Sequence, residues 1–378
     1  MRFKKILMFI LIVLALFRFS VSSYASNIDE YNRNWLEESG ASGLEDYIDE
    51  ETEEYLEKLG CDISDFGSIL AVSLDSVVNL ILEILRSGWS EPFKGLLTAV
   101  STVILYGIGS SFTAGNSKSE AAVALVCSAG LITGIFSIAA NSIRAGASVV
   151  KTAAAFEKAL IPVLAVLLTA SGNPTAAISV QGAAFAGAQA VEMIAAETAM
   201  PLSVMSGLLG MLGAVLPSMK LSAVSDLIRK VMTVTLSACA GLFSGFLAIK
   251  SVLASAADSM GFRGIRFAAN TLVPVVGGAI SEAFASVSAA AGLIKNTVAV
   301  YAVAVFCFMC IPVIINFSLW ILSMKIAGCI AQLIGASQCG EIINHTGFIF
   351  SMMNAVVLLS AAVFIISAGL VVAINSGA

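Results

Sequence analysis

Long apolar stretches, separated by short polar segments, follow one another from residue 95 to residue 373. An α-helix needs about 20 apolar residues to cross the hydrocarbon core of a bilayer. Stretches close to that length occupy residues 95–114, 121–140, 199–216, 231–249, 297–322 and 347–373. The pattern therefore predicts an all-α integral membrane protein, a polytopic helical bundle of about seven spans.

Two further apolar stretches, 160–196 and 272–293, contain helix-breaking residues. Broken helices expose backbone groups inside the membrane, where transporters use them to bind ions or substrates. A proline kink needed only for packing explains the same residues, and the sequence leaves both interpretations open. The candidate helix breaks are Pro162, Gly172, Pro174, Pro274, Gly277 and Gly278.

Several landmarks recur at a nearly constant distance along the membrane part of the chain. The pair Gly130 and Gly134 returns 111 positions later as Gly241 and Gly245. The prolines at 162 and 201 likewise return at 274 and 312. We predict an internal duplication of about 111 residues, with repeats at 121–231 and 232–343; whether the repeats are parallel or inverted stays open. The four glycines form two G-x-x-x-G patterns and are candidates for close helix packing.

Before the first long apolar stretch, two acidic residues recur within an otherwise apolar segment. Asp75 and Glu83 lie eight positions apart and so share nearly one helix face. This favours an amphipathic helix in the membrane interface over residues 67–92, with the polytopic domain at 93–378.

The amino-terminal residues have the pattern of an export signal. Arg2, Lys4 and Lys5 precede an apolar run at 6–17, and Ser23 and Ala25 supply small residues at the positions that specify cleavage. We predict a signal peptide over residues 1–25, with an uncleaved anchor as the alternative.

Charge is concentrated in a short segment of a very apolar chain. Of 378 residues, 58% are hydrophobic and 12% charged, and 14 of the 25 acidic residues lie between Asp29 and Asp65. Together with the export signal, this predicts an acidic extracytoplasmic segment at 26–66. Basic connectors at 141–158, 217–230 and 250–270 favour the cytoplasmic side, but no single topology places all three there.

Ionisable residues inside apolar segments are costly and are functional candidates by default. The candidate intramembrane polar residues are Glu192, Glu282, Lys295 and Asn296.

Few other residues along the chain are candidates for catalysis or for metal or nucleotide binding. Cys307 and Cys310 lie within an apolar segment and are interpreted as core thiols, and His345 as an interfacial residue. No phosphate-binding loop, zinc-ligand cluster or Ser-His-Asp set is visible, and no basic, aromatic-rich surface suggests nucleic acid. We predict no catalytic residue, cofactor or metal.

The segment from Leu272 to Ala283, followed by 293–296, is the most specific part of the chain. Together with the export signal and the acidic start, it resembles the stage III sporulation protein AE family of endospore-forming bacteria, over most of residues 60–378. Residues 331–334 depart from the family pattern, which has an acidic residue followed by proline there. The matching positions are Pro274, Gly277, Ser281, Lys295 and Asn296.

The resemblance implies a multi-pass protein of the mother-cell membrane around the forespore. It implies a membrane component of a secretion-like channel complex, required for late forespore gene expression and forespore maintenance. The implied partners are ring-forming proteins and a cytoplasmic secretion-type ATPase encoded with it, and a ring protein on the forespore side. The alternative is a self-sufficient secondary transporter with its site at the duplicated broken helices.

Overall fold

The computed structural model describes residues 39–61, 68, 72–113, 117–172, 185–241, 243 and 277–373. Every regular element in these ranges is helical, in agreement with the predicted fold class. The predicted signal peptide at 1–25 lies outside the described residues. In chain order the elements are a 3₁₀ helix Ala41–Tyr47, α1 Glu50–Leu59, α2 Leu74–Ser87, α3 Ser90–Thr113, α4 Ser117–Ala170, α5 Phe185–Met193, a π-helical turn Ile194–Ala199, α6 Met200–Val215, a 3₁₀ turn Pro217–Met219, α7 at 221–241, α8 Gly277–Ile334 and α9 Ser337–Ala373.

Five helices in the described ranges are long and apolar enough to cross a bilayer. They occupy Asp75–Thr113, Lys118–Ala170, Gly187–Val215, Ala291–Ile334 and Ser337–Gly369. The first of these ranges combines α2 with α3, and the third combines α5, the π-helical turn and α6. The count of about seven spans stays a prediction, because residues 173–184 and 244–276 lie outside the described ranges. The duplication also stays a prediction, since much of its second repeat falls there.

Helix α4 continues through the residues that the sequence placed between two spans. Positions 142, 146, 150, 153 and 157 are buried, and their spacing of three or four residues forms one continuous inward face. The basic residues of 141–158 that predicted a connector, Lys151 and Lys158 among them, lie on the exposed side of this helix.

Helix α8 is the axis around which the other helices pack. Its apolar stretch is 83% buried within the protein, whereas that of Asp75–Thr113 is only 17% buried. Helix α9 runs along α8 over most of its length, and α3 and α4 cover other sides. The side chains of α2 and α3 therefore mostly face the surroundings of the protein, whereas those of α8 mostly face other helices.

Trp320 joins α8 to three neighbouring helices. Its indole Nε1 donates a hydrogen bond to Ser142 Oγ of α4 at 2.9 Å. Ser142 Oγ in turn donates to Glu91 Oε2 of α3 at 2.6 Å. The indole stacks on Phe350 of α9, with ring centroids 4.7 Å apart. A fully buried tryptophan thus has its single polar group satisfied.

Glycines allow the helices to approach these large side chains. A Cβ at Gly95 of α3 would overlap Trp320, and a Cβ at Gly146 of α4 would overlap Phe317. On the other side of the bundle, Gly207 and Gly210 of α6 lie against Ile349 and His345 of α9. Small residues therefore determine how closely these helices pack.

The acidic segment folds against the bundle beside α2. Ala41 and Leu44 are buried against α4, and α1 packs on α8. Lys58 Nζ of α1 lies 2.9 Å from Glu83 Oε1 of α2, and its hydrogen bonds with Glu54 and Glu83 raise the pKa of the ammonium group. The region predicted as an interfacial helix at 67–92 contains α2 and the first residues of α3.

Two substitutions on α4 separate packing from helix propensity. Gly146→Ala places a methyl group against Phe317 and is expected to lower the free energy of unfolding by about 1–3 kcal/mol. Gly130→Ala is the matched control, because no atom lies within 4 Å of its added Cβ. In an ordinary helix that change is neutral or stabilises by up to about 1 kcal/mol. Unfolding of the purified protein in detergent measures both, and equal shifts would contradict the described packing.

Candidate functional site

Two buried carboxyl groups lie where α4, α5 and α9 meet. Glu157 of α4 and Glu192 of α5 are both 0% exposed. Gln189 precedes Glu192 by three positions and so shares its helix face. Its amide Nε2 donates to Ala154 O at 3.2 Å and to Glu157 Oε2 at 3.4 Å. Gln189 therefore connects α5, which carries Glu192, to the carboxyl group of Glu157.

The third helix contributes a hydroxyl group. Ser360 Oγ of α9 donates to Glu192 Oε1. The second oxygen of each carboxyl group, Glu157 Oε1 and Glu192 Oε2, is buried without a hydrogen-bond partner among the described residues. Such atoms are rare in folded proteins, and each one requires an explanation.

The cluster has apolar walls. Phe306 of α8 stacks on Phe364 of α9 with ring centroids 4.0 Å apart, and Phe156, next to Glu157, lies 6.3 Å from Phe364. On the other side, Val191 packs with Phe243 and other apolar residues. Because these side chains exclude water, a charge on either carboxyl group would be poorly solvated.

The backbone changes its hydrogen-bonding pattern directly after Glu192. Residues Ile194–Ala199 form a π-helical turn between α5 and α6. Such turns are uncommon and occur frequently at functional sites. Glu197 lies within this turn and is exposed, so the same helix carries one buried and one exposed carboxyl group.

The other predicted polar residues lie on α8, the buried axis. Lys295 is 1% exposed, and Asn296 Oδ1 is buried with no hydrogen-bond partner among the described residues. Glu282 belongs to the first part of the same helix. Of the predicted polar residues, Glu192 accepts the hydrogen bond from Ser360 and belongs to the cluster, whereas the side chain of Glu282 lies outside the described residues.

The predicted helix breaks have different positions in the fold. Pro162 lies inside α4, which ends only before Gly172, a residue with φ of 86°. Gly277 and Gly278 begin α8. Pro174 and Pro274 lie outside the described residues, so a role for paired breaks stays a prediction.

The predicted packing glycines also differ in surroundings. A Cβ at Gly134 would lie 2.8 Å from Thr98 Cγ2 of α3, whereas at Gly130 and Gly241 it would meet no atom within 4 Å. Gly245 lies outside the described residues. The glycines that approach the core most closely, at 95, 146, 207 and 210, were not singled out from the sequence.

Sequence reasoning also missed Glu157. It stands beside Lys158, in a segment whose basic residues predicted a connector between spans. The available signal was the run of inward positions at spacings of three and four, which passes through Glu157 and not through a lysine.

A second polar contact joins α7 to α9. The Arg229 guanidinium carbon lies 3.5 Å from the ring centroid of Phe348, a cation–π contact. His345 is half-buried against Gly210 and its Nδ1 has no hydrogen-bond partner among the described residues. Within the part of the chain that the structure describes, no three His, Cys, Asp or Glu residues are grouped as metal ligands would be.

Comparison with known proteins gives one family. The family model for Stage III sporulation protein AE matches residues 68–375. The Stage III sporulation protein AE of Bacillus subtilis (strain 168) is 26% identical over 215 residues, which is 56% of this chain and 54% of that protein. The aligned region thus spans about half the length of this curated relative. No solved structure matches.

The hydrogen bond across α5 and α9 gives a direct test of the cluster. Ser360→Ala leaves Glu192 with no partner for either oxygen, and the free energy of unfolding is expected to fall by about 1–3 kcal/mol. Ser367→Ala is the control, because Ser367 is also buried on α9 but donates only to Val363 O of its own helix. Chemical unfolding in detergent measures the two variants, and a Ser360→Ala protein no less stable than the control would rule out the bond.

Proposed function

Because the chain belongs to the stage III sporulation protein AE family, we propose that it is a membrane component of a secretion-like channel complex between mother cell and forespore. In this role it is required for late forespore gene expression and for maintenance of the forespore.

The extent of the family match is the observation that carries this proposal. Residues 68–375 include every helix from α2 to α9, so the family relationship covers the whole helical bundle. Exposed apolar side chains on its outer helices, Leu105 and Phe112 of α3 and Leu227 and Val234 of α7, suit lipid or the helices of other membrane proteins. Both features support a membrane subunit.

The location and partners follow from the same premise. The protein acts in the mother-cell membrane around the forespore, with the acidic segment outside the cytoplasm. It assembles there with ring-forming proteins and a secretion-type ATPase encoded with it, and with a ring protein on the forespore side. No catalytic step is assigned to this chain.

A secondary transporter is the second candidate, and the buried cluster of Glu157 and Glu192 favours it. Transporters place ionisable residues in the bundle interior, often beside irregular helix geometry. The two functions differ in which substitutions matter: Glu192→Gln abolishes a carrier, whereas Gly146→Leu, which disrupts packing, is the more damaging change in an assembly subunit.

Deletion in the source organism during sporulation tests the proposed function. We expect early forespore gene expression to remain, late forespore gene expression to be lost and the forespore to collapse. Separate early and late reporters, together with microscopy of forespore shape, measure these outcomes. Complementation with the intact chain is the control, and normal late expression in the deletion strain would contradict the proposal.

Cys61 tests the external position of the acidic segment. Burial raises the pKa of its thiol to about 11, because it disfavours the charged thiolate. Since only the thiolate reacts, a membrane-impermeant maleimide should label Cys61 slowly near neutral pH and faster as the pH rises, when the chain is expressed in the surface membrane of intact non-sporulating cells, where a segment outside the cytoplasm faces the medium. Cys61→Ser is the control for specificity. Labelling that requires opening of the membrane would place this segment in the cytoplasm.

A further inference from the structure

We propose that Glu157 and Glu192 form a proton-binding site that holds α5 against α4 and α9. The inference is independent of the role in sporulation, because it depends only on the geometry of these helices.

The hydrogen bonds of the two carboxyl groups match those of neutral carboxylic acids. One oxygen of each group accepts from an uncharged donor, the Gln189 amide or the Ser360 hydroxyl. The other oxygen has no partner among the described residues and is free to carry a proton. A protonated group would leave one neutral O–H without an acceptor, whereas an ionised group would leave a buried charge unpaired, which costs far more free energy.

The described surroundings of the cluster supply no compensating charge. Among the described residues, no lysine, arginine or histidine forms a hydrogen bond or an ion pair with either carboxyl group. Two unpaired carboxylates with apolar walls would be very costly, and protonation removes that cost.

The titratable groups on the packed helices are few. Helix α8 contributes the buried thiol of Cys310, and Cys239 of α7 packs beside Val191. Lys295 of α8 lies 11 positions before Phe306, which corresponds to about 16 Å along the helix. Both glutamates belong to the same cluster, joined through Gln189 and α5, so ionisation of both would place like charges in one buried site.

Proton binding is thereby coupled to the position of α5. With both protons bound, α5 is held by the Gln189 bonds to α4 and by the Ser360 bond to Glu192. If the protons pass to water, two negative charges remain in the cluster, and their repulsion favours a separation of α5 from its neighbours. The π-helical turn after Glu192 already departs from the regular α-helical hydrogen-bonding pattern. A movement of α5 at this turn would therefore break the fewest regular backbone hydrogen bonds.

Infrared spectroscopy of the full chain reconstituted in lipid tests the proposal. A protonated carboxyl group has a carbonyl band separate from that of a carboxylate. At neutral pH we expect this band in the unmodified protein, with one part lost in Glu157→Gln, another in Glu192→Gln, and the sum lost in the double variant. Glu197→Gln is the matched control, because its carboxyl group is exposed on the same stretch of helix and lies outside the buried cluster, so this substitution should leave the band unchanged.

Ser360→Ala keeps both carboxyl groups and gives a second readout. It should shift the part of the band assigned to Glu192, whose carbonyl loses its donor, and leave the part assigned to Glu157 unchanged. Three results would overturn the proposal: no carboxylic-acid band at neutral pH, a band unaffected by both glutamine substitutions, or a band that appears only when sodium is replaced by choline. The last result would assign the site to a metal cation.

Discussion

The burial of α8 among other helices is the constraint on which the rest of the structure depends. In a bilayer, association of apolar helices gains little from the hydrophobic effect, so close packing and satisfied polar groups must stabilise the bundle. Close packing and satisfied polar groups occur together around Trp320. Trp320 stacks on Phe350, its N–H reaches Ser142 and through it Glu91, and Gly95 and Gly146 leave space for the large rings of α8. Helices α3, α4 and α9 are positioned by these contacts.

The lengths of the helices divide the bundle into two parts. The 24 residues of α3 extend over about 36 Å, close to a bilayer thickness. Helix α4 has 54 residues and α8 has 58, so each extends over about 80 Å or more and passes well beyond α3. The extra length of both helices, with α5 and the end of α9, contains the carboxyl cluster. The acidic segment docks on α4 and α8 beside α2, and the membrane-sized part and the longer part share one continuous core.

The sequence was sufficient to predict the features that depend on the length of apolar runs, and insufficient to predict those that depend on contacts between neighbouring helices. The helical class and most apolar spans follow from runs of Leu, Val, Ala and Ile. Glu192 could be chosen because an isolated carboxylate in an apolar run is unusual. Glu157 was missed, since the nearby Lys151 and Lys158 favoured a connector between spans over the inward helix face on which Glu157 lies. The roles of Gly146 and Ser360 depend on side chains of α8 and α5, which no local pattern reveals.

The account therefore depends on α8 being enclosed by protein along its length, with the carboxyl cluster and the packing glycines arranged around it. Native cysteines on this one helix allow the most direct measurement, because Cys307 and Cys310 are buried and Cys329 is exposed. The unmodified chain in membranes would be treated with a membrane-permeant maleimide and the modified sites identified by mass spectrometry. The account predicts modification of Cys329 in the native protein, and of Cys307 and Cys310 only after denaturation. Modification of Cys307 or Cys310 as fast as Cys329 would contradict it.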